Sequence, residues 1–332
     1  MKTKAVVFPE SEKFEMKELT LDDPGANDIC VRTLVTAISP GTERWILKGK
    51  HIGTQFPCVP GYHRIGIVEK CGKDVKEFNP GDVVYGIGNR WKDKIISMWG
   101  AHCGYSVSIP AGYTFISSAM PDKAELETTV FTRVAGVGYK GVRFLEVKPG
   151  EKMLIIGAGF IGLCAARLAA IKQAVPLFMD NNPERIRFAK KLGFGAFNPE
   201  DKDFDRKIRE IAPEGFEMIY DSAGVPAAID RAVGHAKRWG RLLLQAQYFD
   251  KEHRAIDIDQ IKIKEMTIKT TCDVDSDDWD GTFTEIKKKR LNIAPLITHR
   301  FDSEDCLKGY KLLLEGRPFN MGMVFTWEEE RW

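Results

Sequence analysis

Between residues 152 and 170 the chain carries the feature that most limits its fold. Met153-Leu154-Ile155-Ile156 is an unbroken apolar run, Gly157-Ala158-Gly159-Phe160-Ile161-Gly162 follows at once, and an apolar, helix-forming stretch occupies 163–170. An apolar run without polar alternation fits a strand buried on both faces, as in a parallel sheet. The first glycine then permits a tight turn, the second lets a pyrophosphate approach the backbone, and the third lets the helix pack on the strand. Free N–H groups and the positive end of the new helix favour an anion there. The arrangement predicts a Rossmann-type dinucleotide site. Asp180 closes the next apolar run, 18 residues after Gly162. A carboxylate there accepts hydrogen bonds from ribose hydroxyls and repels a 2′-phosphate, so the expected cofactor is NAD rather than NADP. Arg185 and Arg187 lie just beyond it, placed to cap an adenine or, in the other case, to hold a phosphate.

The pattern continues past this turn as alternating elements. Strands are predicted at 175–179, 196–198, 218–220, 241–245 and 267–271, separated by helices at 160–171, 183–192, 204–211 and 227–237, which implies a doubly wound parallel sheet. The cofactor set read from this frame is Gly157, Gly159, Phe160, Ile161, Gly162, Asp180, Asn181, Arg185, Ala223 and Gln245. The first 120 residues differ. Short β-rich runs at 5–8, 29–37, 64–70, 82–86 and 104–109 are punctuated by Gly and Pro and predict a β-dominated domain. Residues 87–102 fit neither period and carry two tryptophans; they read as an excursion near a site, or as a surface loop whose aromatics pack on the β domain. A helix is predicted over 124–142, another over 303–315 and a last strand over 321–326. A chain of 332 residues exceeds what one core usually supports. The expected division is an α/β protein with one domain built from 1–125 and 293–332 and the dinucleotide domain from 126–292.

Composition excludes several classes of function. The 49 basic and 47 acidic residues give a net charge of +2 and are interspersed, which leaves no electrostatic footprint for nucleic acid. No apolar run is long enough to span a membrane, and the opening residues lead into a strand without an apolar signal, so the expected location is cytoplasmic. The seven cysteines are scattered, never closer than 13 residues, which suits neither a disulfide framework nor a cysteine-rich zinc lobe.

Several segments occur in the order of one known family. They are Gly41-Thr42-Glu43, Val59-Pro60-Gly61 before Tyr62-His63, Gly81-Asp82-Val83-Val84, Val147-Lys148-Pro149-Gly150 and Tyr220-Asp221-Ser222-Ala223-Gly224. With the glycine turn they make the chain resemble the medium-chain dehydrogenase/reductase superfamily, the zinc-type alcohol and polyol dehydrogenase group, over nearly its whole length. The resemblance implies a GroES-like catalytic domain split by a Rossmann domain. It also implies zinc ligands at positions held here by Pro40, by Tyr62 or His63, and by a residue on or near Thr132. Proline cannot bind a metal, and hydroxyls are poor zinc ligands beside thiolate and imidazole. The family's four-cysteine structural zinc loop is missing as well. No zinc is therefore expected; a replacement site from His51, Cys58, His63, His102 and Cys103 lacks ligand-pair spacing.

Without a metal the substrate hydroxyl needs a protein base, and His63 beside the lost ligand position is the candidate. Thr42 occupies the family's relay-hydroxyl position, Tyr62 is placed to hydrogen-bond the substrate oxygen, Glu43 to orient His63, and Lys48 to polarise the oxygen. Each has a plainer alternative. His63 could be a core histidine, Glu43 a partner of Arg44 or Arg64, Thr42 a helix cap and Lys48 a solvated lysine; Cys58 and Cys103 lack a nucleophile's partners. The expected activity is zinc-independent hydride transfer between NAD and a secondary hydroxyl of a sugar, glycoside or polyol. His51, Asn89, Arg90, Trp91, Lys92, Trp99 and His102 are the expected substrate-lining residues. The alternatives are an NADPH-type quinone or enone reductase, which Asp180 opposes, and a catalytically silent NAD(H) sensor. The expected partners are a small-molecule substrate and further copies of the chain in a homodimer or homotetramer, with neither nucleic acid nor membrane.

Overall fold

A computed structural model describes residues 1–248, 254–315 and 319–327. The chain begins with β1 (Lys2–Val7), β2 (Glu15–Thr20), β3 (Ile29–Ile38), α1 (Pro40–Leu47), β4 (Cys58–Val59), β5 (Arg64–Cys71), β6 (Val83–Gly86), β7 (Ile96–Ser97), β8 (Tyr105–Ser108), β9 (Tyr113–Ser117) and α2 (Lys123–Thr129). It continues through α3 (Thr132–Phe144), β10 (Lys152–Ile156), α4 (Phe160–Ile171), β11 (Val175–Met179), α5 (Pro183–Lys191), β12 (Gly195–Phe197), α6 (Phe204–Ile211), β13 (Phe216–Asp221), α7 (Pro226–Val233), β14 (Ala236–Leu244), α8 (Ile258–Ile263), β15 (Thr267–Thr270) and α9 (Ser276–Lys287). Last come β16 (Ile297–Asp302), α10 (Leu307–Leu314) and β17 (Gly322–Thr326). Two compact units result, one of Met1–Phe131 with the chain from Ile293 onward, the other of Thr132–Asn292.

In the second unit six parallel strands lie in the order β12-β11-β10-β13-β14-β15. The chain starts in the middle at β10, winds outward through β11 and β12, then returns to β13 on the other side. That reversal makes a switch point between β10 and β13, where doubly wound sheets place their ligand crevice. The sheet holds because its strands are apolar on both faces: Leu154, Ile156, Leu177, Ile219 and Leu242 all sit in one buried cluster with Phe204 and Ile208 of α6. Asn182 starts α5 by accepting the Glu184 and Arg185 N–H groups, and Asp275 starts α9 through the Asp278 N–H.

In the first unit a seven-stranded sheet runs β16-β17-β3-β5-β6-β9, with β8 also paired to β3. Strand β3 is buried along nearly its whole length because it has neighbours on both edges and packing on both faces. The late strand β17 lies antiparallel to β3, which is why this unit needs both ends of the chain.

Three expected elements come out differently. The helix read over 124–142 is two helices, α2 and α3, broken at Val130 and Phe131, whose side chains are buried at the break. The helix read to residue 237 ends at Val233; β14 starts at Ala236 and bulges against β13, with Trp239 at φ 61°. The helix over 303–315 opens as a 3-10 turn before α10. Strands β2 and β9 and helices α8 and α9 had no clear period and went unread. No helix among the described residues is long and apolar enough to cross a membrane.

The turn between α7 and β14 also carries a titratable core contact. His235 stacks edge-on against Phe204 at 5.6 Å and its Nε2 donates to Asp205 at 2.9 Å. Burial lowers its pKa from the ordinary value, and Asp205 only partly opposes this. A depressed folded pKa links protonation to unfolding, so the stability contributed by neutral His235 is complete above the unfolded value, about 6.5, and is lost as acid carries the pH through the folded one. Replacement His235→Gln should therefore flatten the fall in melting temperature between about pH 7 and pH 5, measured by scanning calorimetry at both ends. An unchanged slope would assign that pH dependence to other groups.

Candidate active site

The glycine turn is built as a cradle. Gly157 leaves β10 at φ 93°, a conformation that favours glycine, and a Cβ on Gly162 would stand 2.3 Å from the Gly157 carbonyl oxygen. Ser222 Oγ donates to the carbonyls of Ile156 at 2.8 Å and Gly157 at 3.0 Å, tying the turn to the end of β13. Gly159 differs from its neighbours. Its missing Cβ would meet only Arg185 Nη1 at 3.9 Å, so the space beside it is open at the start of α4. A pyrophosphate fits that opening, because the helix end offers N–H groups and Arg185 a cation. Phe160 is buried and Ile161 half-buried in the first turn of α4, packing the helix in place.

Asp180 is 9% exposed, and its two oxygens accept the Ala158 N–H at 2.8 Å and the Asn182 N–H at 2.7 Å. It clamps the turn to the end of β11, and each oxygen keeps acceptor capacity for a ribose hydroxyl. Ala223 sits against Gly157 and donates its N–H to Asp221 at 3.0 Å. Asp221 also accepts from Gly224 N–H and Tyr248 Oη; burial pushes its carboxyl up, against those hydrogen bonds. Asn181 is exposed at the start of the α5 approach. Gln245 is 7% exposed, and its amide oxygen accepts from Tyr220 Oη at 3.4 Å beneath Gly141, within the sheet–helix packing.

The other unit gathers hydroxyls and rings around the start of α1. Ser39 precedes that helix, Pro40 takes its first position, and Ser39 Oγ lies 2.5 Å from Tyr62 Oη. Tyr62 packs edge-on to Trp99 at 5.3 Å, and Trp99 to His51 at 5.6 Å. Trp99 has φ 67°, costly for a bulky residue and commonly kept where a site requires it. Thr42 and Lys48 are half-buried on α1, Thr42 within the first turn rather than capping it and Lys48 at its end.

Two expected roles are corrected here. His63 is fully buried and its Nδ1 bonds Tyr85 Oη at 2.9 Å, the setting of a core histidine rather than of an exposed base. Glu43 does not orient it. Glu43 is fully buried and accepts from Ser39 N–H at 2.8 Å, Tyr310 Oη at 2.6 Å and His102 Nε2 at 3.1 Å. Nor does it pair with Arg64, whose guanidinium contacts Tyr113 and the Gly88 carbonyl. A buried carboxylate short of one such donor costs about 1–3 kcal/mol, so the three are structurally coupled. His102 reaches on to Thr36 Oγ1 at 2.8 Å, which also accepts Trp327 Nε1 at 2.7 Å. Its ring lies so close to Gly61 that a Cβ there would stand 2.3 Å away. Ser39, Tyr310 and Trp327 were not singled out by sequence. Tyr310 and Trp327 lie over 260 residues from their partners, and no local pattern connects them.

Most of the expected lining serves the β unit instead. Asn89 bonds Cys103 Sγ and the Val107 N–H, Arg90 pairs with Asp28, Lys92 with Asp23 at 2.6 Å, and Trp91 packs among buried Leu21, Cys30 and Val107. Trp99 and His51 stay beside Tyr62. Burial pushes the Cys58 thiol up to about 12 and raises that of Cys103, which removes both as nucleophiles. Among the described residues no group of three or more His, Cys, Asp or Glu is placed to hold a metal ion. The donors at hand also fit a zinc ion poorly, since Pro40 offers none and both His102 nitrogens are engaged.

The glycine turn lies in the α/β unit and the Ser39–Tyr62 hydroxyl pair in the β-rich one. Residues 25–115 match the alcohol dehydrogenase GroES-like domain, and residues 161–288 the zinc-binding dehydrogenase family. The chain is 26% identical to the 2-desacetyl-2-hydroxyethyl bacteriochlorophyllide A dehydrogenase of Rhodobacter capsulatus, with 100% of each covered. It is 26% identical to L-threonine 3-dehydrogenase of Vibrio cholerae, over 91% of this chain and 92% of that one. The solved structure of 2R,3R-butanediol dehydrogenase from Bacillus subtilis has a TM-score of 0.83 at 17% identity, covering 98% of this chain and 100% of that one. This chain belongs to the medium-chain dehydrogenase/reductase superfamily and is an oxidoreductase of that fold.

The cradle separates folding from binding at two neighbouring glycines. Gly162→Ala should lower the melting temperature by several degrees, because its Cβ overlaps backbone, an overpacking worth about 1–3 kcal/mol. Gly159→Ala should melt like the parent yet bind NADH about tenfold or more weakly, read by fluorescence titration, since its Cβ fills only ligand space. Equal NADH affinity in Gly159→Ala would remove the phosphate from this turn.

Proposed function

We propose that the protein oxidises, or in reverse forms, a secondary hydroxyl of a sugar, glycoside or polyol with NAD and without zinc. The observation that carries the reading is the Ser39–Tyr62 hydroxyl pair, 2.5 Å apart, flanking Pro40 where the superfamily's metal-dependent members place ligands. NAD, when bound, supplies the acceptor for the hydride. Gly159, Arg185 and the start of α4 hold its pyrophosphate, and Asp180 takes the ribose hydroxyls.

Loss of the hydride from carbon must be matched by loss of the proton from oxygen. The phenol of Tyr62 is half-buried rather than buried, in contrast to His63, and takes over the role expected of the imidazole. It hydrogen-bonds the substrate oxygen while Ser39 Oγ holds the phenol in place; as the substrate's proton moves to Oη, the phenol proton moves to Ser39 Oγ, which gives up its own proton toward water. Thr42, in the first turn of α1, is the candidate to carry that proton outward. His63 and Tyr85 keep the Tyr62 backbone in position from the core side. The Trp99 and His51 rings beside Tyr62 suit the C–H faces of a polyhydroxylated substrate, with polar groups at their rim. The charge at Asp180 disfavours the 2′-phosphate of NADP, which argues against the quinone and enone reductase reading.

Screening methyl glycosides, aldoses and alditols with NAD, following NADH absorbance, tests the activity. Tyr62→Phe should lower turnover about 100-fold at unchanged NADH affinity, the usual scale for a proton-transfer group. Full turnover in Tyr62→Phe would transfer the role elsewhere. Purified protein should contain well under one zinc per chain and keep its turnover in chelator; stoichiometric, tightly held zinc overturns the metal-free reading. Asp180→Ala should weaken NAD binding more than NADP binding, and a parent enzyme that prefers NADP would reverse the cofactor assignment.

A further inference from the structure

Glu43 is a fully buried carboxylate with three donors aimed at it, and none of the three belongs to a lysine or arginine. A carboxylate only accepts, so His102 presents Nε2–H to it and turns Nδ1 the other way. The atom facing Nδ1 is Thr36 Oγ1, which also accepts the Trp327 indole N–H. The chain is continuous from end to end: Trp327 donates to Thr36, Thr36 is hydrogen-bonded to His102, and His102 donates to Glu43. Tyr310 donates to the same carboxylate oxygen, its phenol held protonated by burial and by the adjacent Glu43. The other carboxylate oxygen receives the backbone N–H of Ser39, four residues earlier and at the threshold of α1.

Every link is inside one unit and every side chain from Thr36 to Tyr310 in this chain is fully buried. What the chain ends on is the residue whose hydroxyl meets Tyr62. We propose that Glu43, His102 and Tyr310 are positioning residues that fix the Ser39–Tyr62 hydroxyl pair, so that the returning C-terminal segment sets the geometry of the site. The role in catalysis rests on the reading given under Proposed function; the geometric claim stands or falls separately. Glu43 aligns the Ser39 backbone, and His102 with Tyr310 aligns Glu43. A carboxylate held by fewer donors rotates about its own side-chain torsions, and the Ser39 N–H and Oγ move with it.

The test uses the full chain with tyrosine labelled at Cζ by carbon-13. Among eight tyrosines, the Tyr62 resonance is identified as the one lost in Tyr62→Phe. Its shift reports the hydrogen bond at Oη. Tyr310→Phe and His102→Leu should each move the Tyr62 resonance by more than its linewidth, while His102→Gln, which can donate to Glu43 and hydrogen-bond Thr36, should return it to the parent position. If His102→Leu does not fold, Trp327→Phe, which removes only the first donor in the chain, should move the same resonance by less than Tyr310→Phe does. A Tyr62 resonance unmoved in folded Tyr310→Phe overturns the proposal, as does a His102→Gln variant that resembles His102→Leu. Turnover of Tyr62→Phe reads the catalytic assignment alone, so the failure of one claim is distinguishable from that of the other.

Discussion

Strand β17 closes on β3 in antiparallel register, Met323 against Ile38 through Thr326 against Val35. That one pairing ties the end of the described chain to the strand that leads into Ser39. The Trp327 backbone continues the ladder by donating to the Leu34 carbonyl at 3.0 Å, and its indole then reaches Thr36 from the same side. Helix α10 is carried along and places Tyr310 among Phe8, Ile38 and Phe325 in one core cluster, with only its hydroxyl directed at Glu43. Without the returning strand, β3 would lose a neighbour along its edge and Glu43 would lose a donor. A buried carboxylate tolerates neither easily, because desolvation is offset only by hydrogen bonds that arrive in full.

The two sites are built on opposite physical principles. The cradle works by leaving out atoms: at Gly157 a side chain would be strained by φ 93°, at Gly162 it would collide with backbone, and at Gly159 it would fill the open space beside α4. Its charge logic is equally economical, with Asp180 held by two backbone N–H groups while the helix end and Arg185 face an anion. The hydroxyl site works by filling space. Glu43, His102, Thr36 and Tyr310 form a polar core inside a β unit, satisfied link by link, which holds the chain that leads into α1.

Much of the cradle was legible because its grammar is local. Strand β10, the turn and α4 are adjacent in sequence, Gly162 abuts the Gly157 carbonyl five residues earlier, and Asp180 follows at the spacing of one βα unit. That the sheet is parallel follows from alternation; its strand order does not. The hydroxyl site was legible only in outline. Tyr62, Thr42, Glu43 and His63 stand out in the sequence, but the partners of Glu43, and the choice between a base and a core role for His63, do not. Tyr62 and His63 are consecutive, so only packing decides which of them faces the core, and periodicity in a two-residue stretch before β5 does not tell them apart.

Residue type and spacing alone thus specified the βα units, the glycine turn and the position of Asp180 at the end of β11. Each depends on contacts between residues near in the chain, where residue type and spacing carry the geometry. The partners of Glu43 and the burial of His63 came from packing instead. Glu43 meets His102 after 59 residues and Tyr310 after 267. Such pairings are chosen by strand registry and by the need of a buried charge for donors, and neither leaves a mark in local sequence.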